Sequence, residues 1–365
     1  MPVLVTAALI TRDEEQHLPD CLASLAGVVD EIVVVDTGSL DSTPTIARAF
    51  GATVLERPWQ GDFAAARNAG LDAATGEWIL YIDADERLSV DGDLGAALQD
   101  PELVAGLVRF RAASAFTPYL EHRMFRNRPD IRFRGAMHET IVPDLSRVME
   151  AEGTKAAPVP AAIEHLGYEG DQMHKHRRNL PLLEREVAED PDRTYLWYHL
   201  GVVRLALDDP SGAEEAWTRA IATSDARDQI SNPALLSYVE LALHRLGGGH
   251  SAADLVATLA QKRRDDPLTS WVMAGQAMHE ARWHDAIALL EPLLAIDPNR
   301  VLNQELAYNR QIFDARALNA LGVCRFQLGE VDEAARLFAR AEASDPSNQE
   351  YRVKRELAEA RAARR

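Results

Sequence analysis

Three carboxylates crowd into four positions of EWILYIDADERL, residues 77–88: Asp83, Asp85 and Glu86. Like charges this close repel, so the arrangement needs a use. Asp83 and Asp85 stand two apart with a small residue between them. Both can point into one crevice if the strand before them ends there. Such a pair favours a divalent cation held between it and a diphosphate, which relieves the repulsion. The plain alternative is a solvated turn that caps a helix. Two more apolar runs stop at polar residues in the same way. VLVTAALI leads into TRDEE, which carries Thr11, Arg12 and Glu14. EIVVVD leads into TGSLDST, with Asp36 at the end of the run and Gly38 suited to a tight turn. Ser39, Asp41, Ser42 and Thr43 are cap-type residues before PTIARAF. A carboxylate at Asp36 can accept from a base N–H or a ribose hydroxyl, or merely cap a turn. Glu14 can merely open a helix. Arg67 and Asn68 lie on the helical pattern before the acidic strand, where Arg67 could equally face solvent.

The elements that must position these residues alternate in type over roughly the first 110 residues. VLVTAALI, EIVVVD and EWILYID are nearly continuously apolar, as strands buried on both faces of a parallel sheet are. EEQHLPDCLASLAG and FAAARNAGLDAAT carry helical periodicity, with Pro19 marking an early turn or a break of the first helix. The alternation predicts an open α/β sheet with right-handed crossovers. In such sheets the ligand crevice lies beyond the C-terminal ends of the strands. Thr11, Asp36 and Asp83 each fall at or just after such an end. From about Val104 to Ile163, LVRFRAA, IRFRGAMHETIV and PVPAAIEHL read as shorter strands that extend the domain on its acceptor side. GDQMHKHRRNLPLLEREVAEDPD then opens a long helix.

After Thr194 the chain is helical and repeats itself at a period of about 34 residues. One copy carries Trp197, Leu200, Gly201, Ala213, Trp217 and Ala220. The cleanest carries Leu321, Gly322, Gly329, Ala334, Phe338, Ala341 and Pro346. A third has Ala274, Ala286 and Pro298, and a weaker one begins near Ala234, with Gly248 and Ala253. Small residues let paired helices approach, and large ones fill the groove between pairs. This half resembles tetratricopeptide repeats, with interruptions near Ser231 and between Arg300 and Asp314. YRVKRELAEARAARR reads as a polar-faced capping helix. The expected organisation is a first domain over 1–170, a linking helix over 171–193, repeats over 194–348 and a capping helix over 349–365.

Composition narrows the function classes. A net charge of −18 argues against nonspecific attraction to nucleic acid or anionic membrane, though a local basic pocket is compatible with it. Cys21 and Cys324 fit no metal-binding spacing and read as reduced, packed thiols. No apolar stretch reaches the roughly 20 residues that span a bilayer. The N-terminal run reads as a strand rather than a signal peptide. A soluble cytoplasmic protein is expected.

Three motifs in order resemble the inverting glycosyltransferase family 2, with the GT-A fold. ALITRDEE is similar to that family's first strand and loop, EIVVVDTGSLDST to its second element, and ARNAGLDAATGEWILYIDADE to its third. RGAMHE, IEHLGY and the downstream repeats resemble the tetratricopeptide-fused branch, which includes peptide-modifying S-glycosyltransferases. The fold implied is an α/β GT-A domain, like the nucleotide-diphospho-sugar transferases, followed by an all-α tetratricopeptide-like domain. The resemblance implies that Thr11, Arg12 and Glu14 line a nucleotide pocket, that Asp36 contacts the base and that Arg67 helps hold the nucleotide. Asp83 would touch ribose or metal, and Asp85 would bind metal. Many members have Tyr-Asn where this chain has Arg12-Asp13, so this loop lacks that aromatic ring.

On this reading Mg²⁺ or Mn²⁺ would neutralise the leaving diphosphate of a UDP-sugar. Inversion needs a base on the opposite face of the sugar. FRGAMHETI offers Glu139, with His138, Asp85 and Glu86 as competitors and a structural ion pair as the plain reading. His165 would complete the metal site or sit as a packed core histidine. Lys175, Arg177 and Arg178 would cover the diphosphate or form a solvated helix face. The expected activity is glycosyl transfer to a peptide, protein or saccharide, recognised through repeats that could also form a homodimer. The rival readings are a sugar-nucleotide nucleotidyltransferase and an inactive transferase-like scaffold. The first is disfavoured because no Gly-rich, basic loop follows the first strand.

Overall fold

The computed structural model describes residues 5–112, 115–166, 173–225 and 230–364. The expected domain limit at 170 and the start of the linking helix at 171 lie outside them. The chain forms two compact units, one over 1–114, 118–189 and 301–307, the other over 115–117, 190–300 and 308–365. The division is not contiguous in sequence, and the helix expected as a linker belongs to the first unit.

In the first unit the described residues build an eight-stranded sheet. Its strands are β1 (Val5–Thr11), β2 (Glu31–Asp36), β3 (Thr53–Glu56), β4 (Trp78–Tyr81), β5 (Glu86–Val90), β6 (Leu103–Ala112), β7 (Tyr119–Arg126) and β8 (Lys155–His165). Their spatial order is β3-β2-β1-β4-β7-β6-β8-β5. The first four pair in parallel, β7 runs antiparallel to β4 and β6, β8 is parallel to β6, and β5 is antiparallel to β8. The helices are α1 (Leu18–Leu25), α2 (Thr43–Ala49), α3 (Phe63–Ala73), α4 (Leu94–Leu98), α5 (Val142–Glu152) and α6 (Met173–Glu189). Pro19 sits in the first turn of α1, where its missing N–H costs nothing.

Alternating side chains on each strand feed two cores, one per face. Ala7, Leu9, Val34 and Leu80 pack with Leu18, Cys21, Leu22 and Leu25 of α1. Ala8, Ile79 and Phe125 pack with Leu145 and Val148 of α5. Helix α3 lies over the parallel strands at Gly70. A Cβ there would stand 3.4 Å from Val35 Cγ2. The step from β4 to β5 shapes the site. Only Ile82–Asp85 separate the fourth strand of the order from the eighth, a span of about 19 Å in a flat sheet. Those residues form a turn, with Glu86 N donating to the Asp83 carbonyl at 3.0 Å. The sheet therefore curls, bringing its far edge beside the end of β4.

IRFRGAMHETIV is not the strand the sequence suggested. It forms a loop with a single bridge, Arg134 to Thr140. Gly135 and His138 take φ values of 95° and 51°, which interrupt any extended run. Ile131, Phe133 and Ile141 supply the apolar pattern by packing into the α5 core.

The second unit is helical among its described residues: α7 (Thr194–Ala206), α8 (Pro210–Asp225), α9 (Asn232–Gly247), α10 (Ala253–Lys262), α11 (Pro267–His279), α12 (Trp283–Leu290), α13 (Ala315–Gln327), α14 (Val331–Ser344) and α15 (Gln349–Ala362). The repeat signature has a direct physical basis. A Cβ on Gly201 would stand 2.3 Å from Trp217 Nε1, and one on Gly322 would stand 2.6 Å from a Phe338 ring carbon. Each glycine admits a ring from the following helix, at the same spacing in both copies. The interruption at 301–307 runs as part of the first unit, where Gln304 O accepts from Leu120 N at 2.8 Å. No helix among the described residues is long and apolar enough to cross a membrane.

Candidate active site

The loops after β1 and β2 are stapled together. Asp13 N donates to Ser39 Oγ, Leu40 N to Asp13 Oδ1, Glu14 N to Thr43 Oγ1, and Ser42 N to Glu15 Oε2, all between 2.7 and 3.0 Å. Asp13 takes a φ of 56° to do this. The Arg12-Asp13 pair thus serves loop geometry through Asp13, while Arg12 is half exposed. Asp36 turns back on its own loop. Its Oδ2 accepts from Gly38 N at 3.1 Å and Ser39 N at 3.0 Å, and Ser39 Oγ donates to its Oδ1. Asp36 and Thr11 are register partners at the strand ends. Thr11 Oγ1 and Arg67 Nη1 are buried polar atoms without a hydrogen-bond partner among the described residues.

Arg67, on α3, reaches under the acidic turn. Its Nη2 donates to Asp83 Oδ1 at 2.9 Å and its Nε to Glu139 Oε1 at 2.5 Å. Burial alone would push the Asp83 carboxyl up, but the guanidinium charges of Arg67 and Arg123 outweigh it and hold the carboxyl below its ordinary value. Asp83 and Glu139 are therefore joined through one cation, although 56 residues separate them. The third carboxylate of the opening motif faces inward. Glu86 is 1% exposed and forms a bidentate pair with Arg123, at 2.9 and 3.2 Å. Its Oε2 also accepts from Asp83 N at 2.9 Å. The apparent excess of acid is thus divided: Glu86 builds the turn, while Asp83 and Asp85 turn to other partners.

Asp85 meets His165, because β5 begins opposite the end of β8. Oδ2 of Asp85 lies 3.1 Å from Nε2 of His165. Leu166 N donates to the Asp85 carbonyl at 2.9 Å. Burial works against a charged His165, but the Asp85 hydrogen bond and the charges of Asp85, Glu86 and Asp83 outweigh it and raise its pKa. The pair fits a divalent cation. Neighbouring ligands on an ion with bonds of about 2.1 Å stand about 3.0 Å apart. One carboxylate, one imidazole and oxygen-rich substrate suit Mg²⁺ or Mn²⁺. Arg67 holds Oδ1 of Asp83. Among the described residues no group of three His, Cys, Asp or Glu is disposed to hold a metal.

Glu14 lies near both acids. Burial pushes its carboxyl up to about 7, reinforced by Asp85 and opposed by Lys175. Arg178 lies over the ring of Phe63, the first residue of α3, at 5.7 Å. Sequence reasoning missed Arg123, Tyr81 and Phe110. Arg123 is a buried cation beside the apolar Met124 and Phe125 of β7, which is the one local signal it carries. Its partner is 37 residues away, beyond the reach of any local pattern.

Residues 6–149 match glycosyl transferase family 2. A TPR repeat-containing protein of Synechococcus elongatus is 36% identical over 280 residues, covering 73% of this chain and 69% of that one. The SPbeta prophage-derived glycosyltransferase SunS of Bacillus subtilis is 26% identical over 271 residues, covering 66% of this chain. The chain spans 61% of that relative's length. Among solved structures, glucosyl-3-phosphoglycerate synthase from Mycobacterium tuberculosis, in complex with Mn²⁺, uridine diphosphate and glucosyl-3-phosphoglycerate, aligns with a TM-score of 0.37 at 17% identity, over 50% of this chain and 78% of that one. With its three strand-end motifs gathered at one edge of a curled sheet, the chain belongs to glycosyltransferase family 2, as a glycosyltransferase with a GT-A-like domain and tetratricopeptide-like repeats.

Proposed function

We propose that this glycosyltransferase is metal-dependent and inverting, and that it moves a sugar from a UDP-linked donor to a nucleophile on a peptide, protein or saccharide acceptor. The observation that carries this reading is the Asp85–His165 pair, spaced as two neighbouring ligands beside the Arg67-held Asp83. Thr11, Arg12, Glu14 and Asp36 line the nucleotide side, and Asp83 meets the ribose. When bound, the cation supplies charge neutralisation to the departing diphosphate. Glu139 takes the acceptor's proton, with Arg67 orienting it through Oε1, and His138 is the next candidate. The repeats recognise the acceptor, as repeat surfaces commonly do. The two free, buried thiols and the soluble nucleotide donor suit a cytoplasmic setting.

Calorimetry with UDP tests the reading. Tight binding should need Mn²⁺ in the wild type, and Asp85→Ala should bind in Mn²⁺ only as weakly as the wild type does in EDTA. Equal wild-type affinity in both media would overturn the metal role.

A further inference from the structure

We propose that a buried ladder of alternating cations and rings, centred on Arg123, is the positioning device that holds Asp83, Asp85 and His165 in register for the donor and its cation. This rests on the metal-dependent reading above. The ladder runs beneath the acidic turn. The Arg67 guanidinium lies 5.5 Å from the Phe133 ring and 5.1 Å from the Tyr81 ring. Arg123 lies between Tyr81 and Phe110, 4.6 Å from each centroid. Phe110 in turn stacks on His165, with centroids 6.1 Å apart and planes inclined by 30°. Arg123 thereby touches both halves of the site. Through Glu86 it fixes the backbone of Asp83, and through Phe110 it backs the imidazole that faces Asp85.

The chemistry of the pair supports positioning over stabilisation. A buried ion pair is often no more stabilising than apolar residues of the same volume. What it adds is directionality. A planar guanidinium can grip a carboxylate at two points while both of its faces lie against rings, which an ammonium cannot do. Groups that orient a ligand without touching the metal commonly change metal affinity or activity about 10- to 100-fold when removed.

The test uses the full chain and two variants. Arg123→Lys keeps the charge and loses the planar grip. The double variant Glu86→Gln with Arg123→Met removes both charges of that pair at similar volume; Glu121, whose Oε2 also accepts from Arg123 Nε, keeps the Tyr119 hydroxyl as a donor. UDP affinity is measured in EDTA and across a Mn²⁺ titration, beside a thermal melt. Affinity in EDTA should fall less than affinity in Mn²⁺, since without the cation only Asp83 of the three meets the nucleotide, while the Mn²⁺ midpoint should rise about 10- to 100-fold. A merely structural pair would lower the melting temperature and leave the Mn²⁺ midpoint unmoved. A folded variant with a midpoint within about twofold of wild type overturns the inference, as does failure of both variants to fold. A wild type that does not respond to Mn²⁺ instead overturns the metal reading on which the inference rests.

Discussion

The two units handle charge in opposite ways. In the first, Asp36, Arg67, Glu86 and Arg123 are buried at one edge of the sheet. In the second, α15 places its charges outside as pairs one turn apart, such as Arg352 with Glu356 and Lys354 with Glu350. The interior there is built from Ala, Leu and Gly against Trp217 and Phe338. Asp266 is the exception, a buried acid that caps α11 and accepts from Arg263 and the Tyr308 hydroxyl. Exposed pairs contribute about 0–1 kcal/mol, whereas burying a charge is costly unless it is fully partnered. Buried charge therefore marks where this molecule needs direction, and close apolar packing marks where it needs only shape.

The largest contrast should come from the acidic side. Glu139→Gln keeps the shape and removes the basicity, so transfer should fall about 10³-fold, within the usual range for a placed base. Nucleotide affinity measured in Mn²⁺ should stay near wild type. A large loss of nucleotide binding instead would mean that Glu139 serves mainly to hold Arg67 against Asp83.

On the shape side, Gly201→Ala should act through packing alone. The added methyl meets the Trp217 ring well inside contact distance, an overpacking that costs about 1–3 kcal/mol. A lowered melting transition with unchanged UDP affinity would sharpen the contrast between the units. Unchanged stability would show that the helix pair slides freely, and the repeat match would lose its physical basis.

The smallest effect is a pH dependence in the metal-free protein. Burial pushes the Glu86 carboxyl up to about 7, held back by Arg123 and reinforced by Asp83, and pushes Glu14 to about the same value. Between the ordinary carboxylate range and pH 7 the folded state then holds more protons than the unfolded chain, so stability falls as pH rises. His165 has the same sign. Its raised pKa contributes stability that is complete below the ordinary histidine value and lost as pH rises through the folded value. The melting temperature in EDTA should therefore fall from pH 5 to pH 8, and Mn²⁺ should flatten the slope. A flat profile in EDTA would mean that these acids are better solvated than the geometry implies.

Much of the fold was legible because it is periodic. The apolar runs of β1, β2 and β4 and the glycine–aromatic spacing of the repeats are local patterns. Asp36, Asp83 and Asp85 could be singled out because they stand at or just after strand ends, and Arg67 because it lies on the helical pattern before the acidic strand. IRFRGAMHETIV misled because its apolar residues do pack inward, but from a loop with two left-handed residues. Arg123 stayed hidden because a buried cation on a strand looks like any strand arginine until its partner is known.

The sequence by itself determined the alternation of strands and helices, the strand-end positions of the acids and the close helix pairs of the repeats, since each depends on residues within a few turns of one another. Only the tertiary structure decided how three neighbouring carboxylates divide their work. Glu86 turns to Arg123 on β7, Asp83 to Arg67 on α3, and Asp85 to His165 at the end of β8. Those partners arrive from 16 to 80 residues away, through the curl of the sheet. Electrostatic energy depends on distance and burial in space, which chain separation does not encode.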